Sequence, residues 1–152
     1  MTKKEINFYQ IDDIITKSLA PLLLKVLEEN KKALVFCKDK VKIKEIDDGL
    51  WVFGKTKFIP HVTIFEKDIE QISDWKRQPI VISDEEVNKN SASYLVLTCD
   101  CTVDFVKNFE RSFYFYDVDE FANVKNFVKN FDDEFKINSY KKYDGKWQVV
   151  SL

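Results

Sequence analysis

The chain has 152 residues, 45% hydrophobic and 14% aromatic, enough to bury a sizeable core in one domain, expected to span residues 1–152. Its 24 basic and 26 acidic side chains leave a net charge of -2, which argues against a globally basic nucleic-acid binder, and Arg77 and Arg111 are the only arginines available for bidentate phosphate or base contacts. No stretch approaches the roughly 20 apolar residues that span a bilayer, MTKKEINFYQ lacks the apolar run of a secretory leader, and the cysteines Cys37, Cys99 and Cys101 are odd in number; a reduced cytoplasmic setting is expected.

Ile6 to Gln10 reads as a first strand. A helix follows from about Ser18 to Asn30, with Leu19, Leu22, Leu23, Val26 and Leu27 at helical spacing and Pro21 in its first turn. Ala33 to Cys37 is apolar throughout, as a strand covered on both faces would be, and Asp39 to Leu50 reads as a second, Lys-rich helix. Pro79–Ser83, Tyr94–Thr98 and Ser112–Tyr116 are further strand candidates. A last helix is expected from Val118 to about Phe131, with Phe121, Val124, Val128 and Phe131 forming its inward stripe, and a closing hairpin is expected to turn at Asp144-Gly145. Strands alternating with helices predict an α/β fold in three layers, with a mostly parallel sheet flanked by helices on both faces.

The segment GLWVFGKT, Gly49 to Thr56, satisfies the G-x-x-x-x-G-K-[ST] phosphate-loop pattern. Its context argues against that use. A phosphate loop follows a strand and opens a helix, whereas this segment closes one, carries the bulky Leu50, Trp51, Val52 and Phe53, and is soon followed by Pro60. IDDIITKS, between the first strand and first helix, where such a fold would hold phosphate, has no glycine. A nucleotide-binding protein using Gly49–Thr56 is therefore the alternative reading, and a stand-alone single-strand-binding domain is a third, disfavoured by the acidic balance.

Other candidate chemistry is thin. Cys99 and Cys101 fall short of a four-ligand zinc set, and His61, the sole histidine, has no nucleophile motif beside it. The acidic pairs, Asp47-Asp48 among them, sit where solvated helix ends place carboxylates. Neither a catalytic site, a cofactor nor a metal is expected. Trp51, Phe53, Phe58, Ile59 and Pro60 form an apolar run between regular elements, which suits a partner-binding surface or a loop folded over the core.

LWVFGKTKFIPH, Leu50 to His61, resembles the Leu-Trp, Phe-x-Pro-His signature of the chi subunit of bacterial DNA polymerase III. SLAPLLLKVLEENKKALVFC, RQPIVIS, NFERSFYFYD and YDGKW resemble further segments of that family in the same order, so the resemblance covers nearly the whole chain. It implies a nucleotide-binding-like topology without a nucleotide site and a non-catalytic accessory subunit with two partners. One is the psi subunit of the clamp loader, for which the resemblance implies Trp51 and Phe58 as contacts, with Pro60 and His61 shaping the segment. The other is the acidic, Phe-ending tail of single-stranded DNA-binding protein, held in the family by basic side chains on the last helix beside an apolar pocket. An ungapped alignment puts Val124 and Val128 at the basic positions; a one-residue gap near Asp133 puts Lys125 and Lys129 there, beside Val128, and turns Phe131 inward. The gapped register is preferred. Nucleic acid would then be engaged mainly indirectly, by tethering the clamp loader to coated single strands during replication.

Overall fold

The apolar runs become strands because the sheet buries them from both sides. The computed structural model describes residues 3–53, 58–65 and 74–152. In chain order the elements are β1 (Lys4–Gln10), α1 (Thr16–Glu28), β2 (Ala33–Phe36), α2 (Lys40–Val52), β3 (Val62–Thr63), β4 (Ile80–Ser83), β5 (Tyr94–Leu97), α3 (Val103–Val106), β6 (Arg111–Tyr116), α4 (Phe121–Val128), β7 (Phe135–Tyr143) and β8 (Lys146–Val149). Every residue of β2, β4 and β5 is buried, as the unbroken apolar stretches require.

One eight-stranded sheet results, in the order β3-β4-β2-β5-β6-β1-β7-β8. All neighbouring pairs are parallel except β7 with β8, which are antiparallel. Alternation along each strand splits the core into two layers. Phe113 and Phe115 of β6 point to the layer that contains α1 and α2, while Tyr114 and Tyr116 point to the layer of α3 and α4. The connections advancing toward β3 thus place helices on one face and those advancing toward β8 place them on the other, the arrangement of a doubly wound sheet. The expected mostly parallel three-layer α/β fold is the one observed.

Several boundaries differ from expectation. α1 starts at Thr16, so Pro21 lies in its second turn rather than its first. The earlier start comes from the Ile14–Ile15 segment, whose carbonyls already accept from Lys17, Ser18 and Leu19, while the Asp13 carboxylate accepts from the Ile14 N–H. Pro21 and Lys17 are both exposed, so water can replace the bond that Pro21 does not donate. The last helix opens with a 3-10 turn at Val118–Glu120 under an Asp117–Glu120 capping box and is α-helical over eight residues only. Its inward stripe includes Phe127, which is buried beside Val124. The hairpin turns at Asp144 and Gly145 with φ of 49° and 76°, the pair of positive values that a two-residue type I′ turn needs.

Candidate functional site

α2 builds the first candidate surface. The Asp39 side chain caps it by accepting from the N–H groups of Val41 and Lys42, and Ile43, Ile46 and Leu50 bury its inner face. The helix ends with Trp51 half exposed, at 49%, and Val52 exposed. Beyond it, Ile59 is fully buried in the α1/α2 layer, anchoring a short segment whose Phe58 is 66% exposed. The apolar run of Leu50 to Pro60 thus divides between core and surface: Leu50 and Ile59 fold inward, whereas Trp51 and Phe58 stay out. Pro60 is half-buried and holds its own φ fixed just before His61 and β3.

The exposed rings are held from beneath. Trp51 and Phe58 lie 5.4 Å apart between centroids, and Trp51 covers the His61 ring at 4.4 Å. The His61 side chain is fully buried. Its Nδ1 faces the Ile59 carbonyl at 2.7 Å and its Nε2 faces Asp47 Oδ1 at 2.8 Å, so both ring nitrogens stand at hydrogen-bond distance from an oxygen. Trp51 Nε1 donates to the same Asp47 oxygen at 3.1 Å. Asp47, expected from the sequence to be a solvated helix-end carboxylate, is instead largely covered and bonded to two rings, and its i, i+4 spacing to Trp51 on an amphipathic helix was the usable signal. Its neighbour Asp48 behaves as a solvated carboxylate, pairing with Lys44 on the surface.

The second candidate surface lies on α4, across the sheet. Val124 and Phe127 are buried and Val128 packs partly against the core, while Lys125 and Lys129 are exposed one turn apart. The Lys125 ammonium sits 5.6 Å from the centre of the Phe121 ring.

A cavity of about 350 Å³ opens where β1 and β6 end and their chains depart to opposite faces, the position at which doubly wound sheets hold ligands. Asp13, Glu45, Asp117 and Glu120 line it, against Lys42. Lys17, hydrogen-bonded to Asp13 at 2.6 Å, holds the Asp13 carboxyl below its usual range, so that group is charged at neutral pH. A crevice walled by carboxylates repels phosphate. Gly49 lies inside α2 against Thr16, and helix packing accounts for it; Gly54, Lys55 and Thr56 lie outside the described residues. All three cysteines are free thiols, and burial raises Cys99 and Cys101 above the usual thiol range.

A doubly wound α/β sheet with an acidic switch-point crevice defines a nucleotide-binding-like topology, and an exposed ring pair stands beside the end of α2. Residues 1–131 match the family model described as DNA polymerase III chi subunit, HolC, and the chain belongs to that family. It is also 25% identical over 146 residues, covering 91% of this chain and 80% of its relative, to the Rickettsia prowazekii (strain Madrid E) protein named "Probable DNA polymerase III subunit chi". Membership makes it an accessory component of the polymerase III machinery of DNA replication.

Proposed function

We propose that this chain works as a single non-catalytic domain in the cytoplasm, tethering the clamp loader to single-stranded DNA-binding protein. Trp51 and Phe58, with Pro60 and His61 beneath and beside them, meet the psi subunit or an equivalent protein; Lys125, Val128 and Lys129 meet the acidic, Phe-ending tail. The observation that carries this reading is the half-exposed Trp51 packed on Phe58, since large rings left at a surface and fixed in place are the usual anchors of protein interfaces. Placement of α2 and α4 on opposite faces of the sheet supports simultaneous engagement of two partners. Two modest contacts then gain strength through effective concentration.

Calorimetric titration of the chain with a short acidic peptide ending in Pro-Phe tests the tail contact. Binding in the micromolar range, weakened by about tenfold in Lys125→Ala or Lys129→Ala as expected for loss of a charge-assisted contact, supports it; no heat of binding overturns this half of the reading. Clamp-loader complexes reconstituted with Trp51→Ala or Phe58→Ala chain test the other half, and undiminished incorporation of both variants would refute it.

A further inference from the structure

We infer that Asp47 is the positioning residue of the Trp51–Phe58 surface, fixing the rings before any partner arrives; the inference rests on the reading of that surface as a protein-contact face. A tryptophan at a helix end with half its surface in water has several rotamers open to it. Asp47 stands one turn before Trp51, where helical side chains lean, and its Oδ1 accepts the indole N–H at 3.1 Å. The same oxygen meets His61 Nε2 at 2.8 Å, and the other His61 nitrogen meets the Ile59 carbonyl at 2.7 Å. One carboxylate oxygen therefore joins the end of α2 to the segment that leads into β3. Phe58 leans on Trp51 and is positioned at second hand.

A catalytic Asp–His pair is a poor account of this contact, because the His61 side chain is fully buried beneath Trp51 and reaches no substrate. A solvated charge is equally poor, because Asp47 is 21% exposed at its side chain whereas the neighbouring Asp48 is 60% exposed. A side chain immobilised in advance spares its ordering cost on binding, worth about twofold to tenfold in affinity.

The test uses the indole N–H resonances of the free, full chain, with Trp51→Phe assigning Trp51 and with Trp75 and Trp147 as internal references. In Asp47→Ala the Trp51 indole proton should move upfield and exchange with solvent about tenfold faster, as a lost hydrogen bond of this kind predicts, while Trp75, Trp147 and the Asp48→Ala spectrum stay unchanged. Asp47→Asn, which keeps an oxygen acceptor in place, should restore most of the shift. An unmoved Trp51 resonance in Asp47→Ala overturns the inference, as does a joint shift of all three indoles, which would mark a general structural role. In reconstituted clamp-loader complexes, Asp47→Ala should weaken incorporation by less than Trp51→Ala does. Normal incorporation of Trp51→Ala would sink the contact-face reading and leave the resonance result to decide positioning; a loss in Trp51→Ala with none in Asp47→Ala would overturn the claim that the preset rings matter to binding.

Discussion

Replacing Gly49 with alanine places a methyl group against Thr16. An ideal Cβ at Gly49 collides with Thr16 Cγ2 and stands 3.0 Å from its Oγ1 and 3.1 Å from its Cβ. Rotation about χ1 moves the first two atoms but not the third, so α1 and α2 must separate slightly at a buried contact. Overpacking of this kind costs about 1–3 kcal/mol. Alanine recovers roughly 1 kcal/mol as the better helix former. The net expectation is a destabilisation of about 1 kcal/mol, read as a melting temperature lower by about 2–4 °C in a chain of this size. A thermal or urea double-mutant cycle isolates the contact: in a Thr16→Gly background, which removes the Cβ as well, Gly49→Ala should become stabilising, with a coupling energy of about 1–3 kcal/mol. Gly49→Ala that stabilises the wild-type chain would refute the packing explanation of this glycine.

Asn90 is fully buried and its amide donates to the carbonyls of Ala33 and Gln78, tying the start of β2 to the approach to β4. Asn90→Ala leaves those carbonyls without this donor and should cost about 2–3 kcal/mol, visible as a shift of the urea midpoint without a change of slope. Because burial raises the thiol pKa of Cys99 and Cys101, both should react with a thiolate-selective disulfide reagent more slowly than free cysteine at neutral pH and faster as pH climbs. Native rates equal to those of the urea-unfolded chain would contradict that burial.

The elements that strong local signals specify were legible in the sequence. Uninterrupted apolar runs marked β2, β4 and β5, and the Asp144-Gly145 pair marked the hairpin, because only those residue types accept both positive φ values readily. β3 and α3 escaped because two and four residues are too short for a strand or helical period to repeat. The stripe of α4 was incomplete by one ring: Phe121, Val124, Val128 and Phe131 pack against the core as expected, and Phe127, three residues after Val124, joins them on the same face. At the candidate surface, residue types marked the run of Trp51, Phe53, Phe58, Ile59 and Pro60, and the family resemblance pointed to Trp51 and Phe58 within it, but residue types alone could not say which apolar members of that segment face water. That division follows from Ile59 filling the α1/α2 layer, a long-range contact. Asp47 was legible in principle through its spacing to Trp51, yet His61, fourteen residues on, completes the arrangement only once the chain has folded.

Among the described residues the sheet ends in two short strands, β3 with two residues and β8 with four. The β7–β8 hairpin carries Lys136, Lys141, Lys142 and Lys146 against Asp144, in a chain that is otherwise slightly acidic. A second copy approaching this rim edge-on meets its own lysines, which discourages strand-to-strand stacking into fibrils. That protection is electrostatic and so depends on the medium. As ionic strength rises from about 0.1 M to 1 M the Debye length falls from about 10 Å to 3 Å. At this rim the mutual repulsion of the lysines therefore reaches farther in dilute buffer than in concentrated salt.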